Sequence, residues 1–285
     1  MDLLNGLARA VFNVLLVPLE AIGPEFSLVI TSGIFGILAL IAFKHISWQK
    51  GIKSTKDKIK GHLIAIRIYQ DDLAVVASSV VKILGRNFQY IGLNFGPFVP
   101  LAIPFMIVAA QMVTRYGFEP IPVSATPTIA LAGQGTMLEV RMAPGHEAEI
   151  SDLQIGVPDT IELVSPIVRA PSDGRAFVEF VAKGDGAEEF TFTLGDGTTT
   201  AKSVVTGDSD VRYMQPERVS SFWSAWLWPA EDTLSDAPAI AHISFAYPER
   251  SLAWMPDGPF GVLVALLVAS MAFGIAVMKP LGVQI

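Results

Sequence analysis

Three long apolar runs constrain this chain more than any other feature. The first run, residues 26–43, contains eighteen residues without a charge. As a helix rising about 1.5 Å per residue it is roughly 27 Å long, which is enough to cross the hydrocarbon core of a bilayer. The second run covers residues 91–114 and the third covers residues 259–278. We therefore expect an integral membrane protein with three transmembrane helices.

The composition agrees with a membrane location. Hydrophobic residues make up 51% of the chain and charged residues only 16%, which is more apolar than an ordinary soluble domain. The chain has no cysteine, so disulfides, thiol catalysis and thiolate-bound zinc or iron-sulfur sites are excluded.

The net charge of −7 conceals two regions of opposite sign. Residues 44–86 carry nine basic and three acidic side chains, whereas residues 116–250 carry eight basic and twenty acidic ones. Because basic loops stay in the cytoplasm, the first region is expected to be cytoplasmic and the second to be exported. The predicted location is the cell inner (cytoplasmic) membrane, with the N-terminus and the acidic region outside and the C-terminus inside.

These features divide the chain into eight segments. They are an amphipathic interfacial helix at 1–24, the first span at 25–43, a cytoplasmic helical hairpin at 44–90, the second span at 91–115, an exported β-domain at 116–215, a tryptophan-rich interfacial segment at 216–257, the third span at 258–279 and a cytoplasmic tail at 280–285.

The N-terminal segment has the pattern of an amphipathic helix. Leu3, Leu7 and Val14 fall on one side of a helical wheel, and Asn5 and Arg9 fall on the other. Such a helix is expected to lie at the outer membrane interface. A cleaved signal peptide is the alternative, although the usual basic start is missing.

The basic loop is predicted to form two helices that are joined near residues 69–72. Its first half is rich in lysine, and its second half has apolar residues such as Leu73, Val76 and Val80 at helical spacing. The alternative is a basic stretch that only binds anionic lipid headgroups.

After the second span the pattern changes to short β-type runs separated by glycine-containing turns. The clearest runs are 137–142, 161–168, 176–182, 190–194 and 203–206. With two weaker runs they come close to the roughly seven short strands of an all-β immunoglobulin-like sandwich, which would be inserted between the spans. We expect such a domain to bind or brace rather than to catalyse.

Four tryptophans follow or flank this domain. Trp223, Trp226 and Trp228 cluster together, and Trp254 precedes the third span. Tryptophan favours the lipid headgroup layer, so the segment is predicted to fold back onto the membrane interface. Packing of the indoles against the β-domain is the alternative.

No pattern indicates catalysis or a metal site. The four histidines are widely spaced and lack a metal-ligand motif. Asp196, Asp208 and Asp210 lack the spacing of a calcium loop. Phosphate-binding loops and nucleophile elbows are also missing. We therefore expect no enzymatic activity, no cofactor, no metal and no nucleic-acid partner.

The few polar residues in or near the spans are the candidate functional residues. They are Thr31, Ser32, Lys44, Asn94, Gln111 and Ser270. Such side chains either join helices by hydrogen bonds or line a polar groove in the bilayer.

Two stretches of the chain resemble the YidC-type membrane protein insertase superfamily, especially its compact, archaeal-like three-span members. Leu93-Asn94-Phe95-Gly96-Pro97, continuing to Phe105, is similar to the family's proline-containing second core span, which follows a cytoplasmic hairpin. Gly258-Pro259-Phe260-Gly261, continuing to Pro280, is similar to the closing span of the compact members.

The resemblance implies a non-enzymatic insertase or chaperone. Its polar groove would receive nascent membrane proteins, with Thr31, Ser32 and Gln111 as the best groove candidates. Lys44 would take the place of the positive charge that bacterial members carry. The other hypothesis is a structural or accessory subunit of a larger membrane complex, which is anchored by its spans and docks partners through the sandwich. Membrane lipids are expected to contact the protein in both cases.

Overall fold

A computed structural model describes residues 2–124 and 135–283. The described residues contain helices α1 (Asp2–Glu20), α2 (Pro24–Ile46), α3 (Gln49–Ile68), α4 (Leu73–Phe95), α5 (Phe98–Tyr116) and α6 (Gly258–Met278). The strands are β1 (Thr136–Met142), β2 (Gln154–Gly156), β3 (Ile161–Leu163), β4 (Val168–Ala170), β5 (Arg175–Ala182), β6 (Gly186–Thr193), β7 (Thr199–Thr206), β8 (Glu217–Val219) and β9 (Ile240–Phe245).

The chain forms two compact units. We call Met1–Leu28 with Met106–Ala265 the β-bearing unit, and Val29–Phe105 with Leu266–Ile285 the helical unit. The strands all belong to the first unit, and the α3–α4 hairpin belongs to the second.

Three helical stretches are long and apolar enough to cross a membrane, which agrees with the number of spans predicted. They are Pro24–Ile46, Leu73–Tyr116 and Gly258–Met278. The second stretch is 44 residues long because it joins α4 to α5 across Gly96 and Pro97. The sequence placed the start of the second span at residue 91, whereas the helix break lies at this Gly-Pro pair. Proline lacks the amide hydrogen that would donate to the helix at position 97.

The helical unit contains a tight hairpin. Helix α3 ends at Ile68 and α4 begins at Leu73, so the turn lies where the sequence predicts it. The Asp72 carboxylate caps α4 by accepting hydrogen bonds from the amides of Ala74 (3.0 Å) and Val75 (3.2 Å). These bonds satisfy two amides that would otherwise lack a helical partner.

Glycines of α2 allow close contact with α6. A Cβ at Gly33 would overlap the Phe273 ring, and a Cβ at Gly36 would lie within 2.5 Å of the Ser270 Cα. Small residues are common where two membrane helices approach this closely. The α2–α6 contact therefore depends on the missing side chain at Gly36.

Two antiparallel sheets form the β-domain. One has the strand order β3-β5-β1-β9-β8, with β4 also paired to β5, and the other has the order β2-β6-β7. The predicted run at 161–168 is divided between two short strands, β3 and the start of β4, which both pair with β5. Pro166 lies in the gap, where a residue without an amide hydrogen cannot donate to the sheet.

Aromatic rings fill the core between the strands. The Phe180 ring lies 5.0 Å from the Phe190 ring and 5.6 Å from the Phe245 ring, measured between centroids. All three side chains are buried. Aromatic pairs at these separations contribute attraction beyond the area that they bury.

The β-domain extends further along the chain than the sequence predicts. Strands β8 and β9 lie within 216–257, the segment expected to be interfacial. Strand β9 pairs with β1 over Leu138↔Phe245 and Val140↔Ile243. Burial of Ile243 and Phe245 explains why this segment returns to the sheet.

The tryptophans after the second span differ in exposure. Trp223 is 77% exposed and Trp254 is 66% exposed. Trp228 instead packs on the core beside Phe118, with 6.3 Å between ring centroids. Trp228 therefore contributes to the core of the β-domain, whereas Trp223 and Trp254 do not.

Candidate functional site

The six polar residues predicted from the sequence differ in exposure. Lys44 is exposed and Ser270 is partly buried, while the other four are buried. Ser270 donates from its hydroxyl to the Leu267 carbonyl at 3.0 Å. Within the described residues, none of Thr31, Asn94 and Gln111 makes a side-chain hydrogen bond to another groove candidate. Within the helical unit, the structure therefore does not join Thr31 and Asn94 by a hydrogen bond.

Two candidates of the helical unit keep unpaired polar atoms. The Thr31 hydroxyl oxygen and the Asn94 Oδ1 are buried and have no hydrogen-bonding partner in the described part of the chain. The Asn94 Nδ2 does donate to the Tyr90 carbonyl at 2.8 Å. Each unpaired buried polar atom has a free-energy cost that a new partner would remove.

Gln111 is the most unusual of the six. It lies on α5 in the β-bearing unit and is 1% exposed, and both amide atoms lack a partner among residues 2–124 and 135–283. The neighbouring Thr114 is also buried, but its hydroxyl donates to the Ala110 carbonyl at 3.0 Å. Burial of an amide without partners is costly, so Gln111 needs an explanation that Thr114 does not.

A charged cluster joins the ends of helices in the β-bearing unit. Arg115 donates from Nε to Glu20 Oε1 at 2.5 Å and from Nη2 to Glu20 Oε2 at 2.8 Å. Its third nitrogen donates to Asn13 Oδ1 at 2.6 Å. The Arg115 side chain is 1% exposed and that of Glu20 is 19% exposed. This is the bidentate arrangement in which an arginine binds a carboxylate most strongly.

Three further contacts complete this group. The Tyr116 hydroxyl donates to Glu20 Oε1 at 2.8 Å and lies 2.9 Å from the Ser27 hydroxyl. Arg212 donates to Glu20 Oε2 at 2.8 Å. We call Glu20, Ser27, Arg115, Tyr116 and Arg212 the span-end cluster, because they connect α1, the start of α2, the end of α5 and the chain after β7.

The cluster changes the acidity of Glu20. Burial alone raises the pKa of this carboxyl, but hydrogen bonds from Arg115 and Tyr116 and the charges of Arg115 and Arg212 outweigh burial. The pKa of Glu20 therefore lies below its ordinary value of 4.5. A carboxyl with a lowered pKa stabilises the fold at neutral pH, and the stabilisation is lost as the pH falls through the pKa of the folded state.

We expect Glu20→Gln to destabilise the protein at pH 7 and to have little effect once the pH falls below the folded-state pKa. The reason is that the wild-type carboxyl is then protonated and resembles the amide. Thermal unfolding of both proteins in detergent from pH 7 to pH 3 measures the difference. A Tm difference that stays constant over this range would contradict the assignment to Glu20 ionisation.

A second buried ion pair lies inside the β-domain. Lys202 is fully buried and donates from Nζ to the Gln215 carbonyl at 2.8 Å and to Glu231 Oε1 at 3.1 Å. Burial lowers the pKa of Lys202 and raises that of Glu231. Both partners are enclosed and hydrogen-bonded to main chain or to each other, so the pair fixes the segment after β7 against the sheet.

The residues considered for metal binding do not come together. No group of three or more metal-ligating side chains occurs within the described ranges. His45 lies 2.8 Å from the Ile41 carbonyl through Nδ1, and Asp196 accepts from the Thr198 amide at 2.8 Å. These contacts are local to a helix end and a turn. The expectation of a chain without metal or cofactor stays a prediction.

The span-end cluster was not predicted from the sequence. One signal was available, since Arg115 is the only charged residue between positions 87 and 118. A lone arginine at the end of an apolar helix needs a partner. The partner, Glu20, is 95 positions away in the chain, and no local pattern joins the two.

Comparison with family models, with curated proteins and with solved structures finds no match. Arguments about function therefore depend on the chain's own residues.

Proposed function

We propose that this protein is a membrane protein insertase or chaperone of the YidC-like type. The observation that carries the proposal is the buried Gln111 amide, neither of whose polar atoms has a partner among the described residues. Thr31 and Asn94 support it within the helical unit, because each keeps one unpaired buried atom. Polar groups of this kind inside membrane segments are costly, and they are often functional.

The mechanism is non-covalent. An incoming segment carries polar groups that must cross the hydrocarbon core, and each such group lacks water there. Pairing with the Gln111, Thr31 or Asn94 side chain lowers that cost at the same time as it satisfies the protein's own polar atom. The exposed Lys44 ammonium at the end of α2 is suited to attract acidic residues of the segment.

This function fits a multi-pass protein of the cell inner membrane. The N-terminus and an immunoglobulin-like β-domain lie outside in this proposal, and the α3–α4 hairpin and the C-terminus lie in the cytoplasm. The partners are membrane lipids and nascent membrane proteins, and the activity is not enzymatic. The basic α3–α4 loop supports this orientation through the positive-inside rule.

We expect Gln111→Leu to reduce insertion while stabilising the protein. Leucine has a similar size and removes the unpaired amide, so the free energy of unfolding rises by about 1–3 kcal/mol. Insertion falls because the incoming polar group loses its partner. The assay uses proteoliposomes and a single-span protein with a short polar N-terminal tail, and protease protection of the tail measures insertion.

Thr114→Val is the matched control on the same helix. The Thr114 hydroxyl is already bonded to Ala110, so its loss should leave insertion unchanged and should not stabilise the protein. Wild-type insertion no greater than that of empty liposomes would contradict the insertase proposal. Equal insertion by Gln111→Leu and wild type would show that the Gln111 amide has no part in insertion.

One observation favours a second function, an accessory subunit of a larger membrane complex. In the span-end cluster, Arg212 from the chain after β7 and Arg115 of α5 both bind Glu20 of α1. These bonds hold the β-domain at the helix ends, and a domain held in this way could keep a bound partner in a fixed position. Such a subunit should copurify from native membranes with particular proteins in a fixed ratio. A monodisperse protein without partners after mild solubilisation would count against this alternative.

A further inference from the structure

Helix α1 exposes a continuous apolar stripe. Its members are 56–81% exposed and recur at helical spacing, and they are Leu3, Leu7, Val11, Val14 and Leu15. Residues three or four apart share one helix face, so these side chains form a strip along most of a helix that is roughly 28 Å long at about 1.5 Å per residue. The stripe contains no charged residue.

The opposite face of α1 is bonded to protein. Asn5 donates to the Ala225 carbonyl at 3.4 Å and Arg9 donates to the Ala230 carbonyl. Asn13 accepts from Arg115, and Glu20 belongs to the span-end cluster. The hydrogen-bonding groups of α1 therefore face the rest of the β-bearing unit, and these bonds fix the stripe on the side of α1 that points away from their partners.

Exposed aromatic residues lie beside the start of α1. Phe222, Trp223 and Leu227 are exposed around the short turn that contains Ala225, the residue that accepts from Asn5. We call these three residues the aromatic turn. The Phe222 and Trp223 rings meet edge to face, with 5.5 Å between their centroids.

The end of α1 packs among the ends of three membrane helices. Leu16 of α1 belongs to one buried apolar cluster with Leu28 of α2, Met112 of α5 and Val262 of α6. Only residues 21–23 separate α1 from α2. Val17, Ile22 and Phe26 are 40–70% exposed, so exposed apolar residues continue from the stripe into the start of the first span.

We propose that the α1 stripe is a lipid-binding face that holds the β-domain against the bilayer surface, and that the aromatic turn enters the same interfacial layer. The occupant is the interfacial layer of phospholipid. Uncharged aliphatic residues suit the boundary between headgroups and acyl chains, and tryptophan favours this layer. Continuity with the spans favours lipid over a partner protein, and this inference does not depend on insertase activity.

The absence of cysteine allows a direct test. A nitroxide spin label is attached to Val14→Cys or, as control, to Ser172→Cys in an exposed turn of the β-domain. The full chain is reconstituted in phosphatidylcholine and phosphatidylglycerol vesicles. We expect the Val14 label to collide with oxygen far more often than with a water-soluble nickel chelate, and the Ser172 label to show the reverse.

A second measurement uses the natural tryptophans. Variants that keep only Trp223 or only Trp228 are reconstituted with brominated phospholipids, which quench indoles by contact. Trp223 fluorescence should be strongly quenched, whereas Trp228, packed beside Phe118, should be quenched several-fold less. Equal quenching of the two would overturn the assignment of the aromatic turn to lipid. Nickel collisions at Val14 as frequent as at Ser172 would overturn the lipid-binding face, because the stripe would then face water.

Discussion

We expect Arg115→Met to lower the free energy of unfolding by about 3–5 kcal/mol, as is usual when one member of a buried ion pair is removed. Methionine keeps most of the volume, so the loss is mainly that of the bonds to Glu20 and Asn13. At about 2–4 °C per kcal/mol, the apparent Tm should fall by at least about 6 °C. Tryptophan fluorescence during heating in detergent measures this fall.

Arg175→Met is the matched control. Arg175 also binds a carboxylate, that of Glu139, but its side chain is 40% exposed. Exposed pairs contribute about 0–1 kcal/mol, so the control should shift Tm only slightly. The free energy of unfolding of the double variant Glu20→Gln with Arg115→Met should fall by less than the sum of the two single-variant losses, because the partners share one interaction. Additive losses would show that the span-end cluster is not a coupled unit.

We expect Gly36→Ala to destabilise the helical unit by about 3 kcal/mol, at the upper end of the usual cost of overpacking. The added methyl would overlap the Ser270 backbone on α6. Backbone atoms cannot rotate away as a side chain can, so the two helices must separate. The apparent Tm in detergent measures the effect.

Gly85→Ala makes the same chemical change on α4. A Cβ at Gly85 meets no atom within 4 Å, and alanine is a better helix former than glycine by about 1 kcal/mol. The two substitutions should therefore shift Tm in opposite directions. A Tm for Gly36→Ala equal to or above that of wild type would show that α2 and α6 do not meet at this glycine.

The sequence predicts the three long apolar helices because their signal is local. A run such as 26–43 lacks charge over its whole length, and length with hydropathy is sufficient to identify it. The break between α4 and α5 was harder to predict. Apolar residues continue on both sides of Gly96 and Pro97, so hydropathy alone does not mark where the hairpin ends.

Long-range pairing explains what the sequence did not predict in the β-domain. Strand β9 pairs with β1, which lies about a hundred residues earlier in the chain. The segment that contains β9 also contains the exposed residues Trp223 and Trp254. These tryptophans favoured the prediction of an interfacial segment over that of a strand. The register Leu138↔Phe245 follows from tertiary packing rather than from local preference.

The candidate site was predicted only in part. Hydropathy identifies Gln111 as a polar residue within an apolar run. Only the structure shows that its amide is buried with no partner in the described part of the chain, whereas the Thr114 hydroxyl is hydrogen-bonded. Lys44 was a candidate because of its position, and the structure shows it exposed. Burial and pairing depend on neighbouring elements, which a single sequence does not define.

The bonds of α1 also determine the order in which this protein can be completed during synthesis. Asn5 and Arg9 bond to residues 220 and 221 positions later, and Glu20 bonds to a residue 192 positions later. At about 5–20 residues per second, roughly 10–45 s separate translation of the helix from that of its partners. Throughout this interval the polar face of α1 remains unbonded to the β-domain, so α1 reaches its final position only after its later-made partners have been translated.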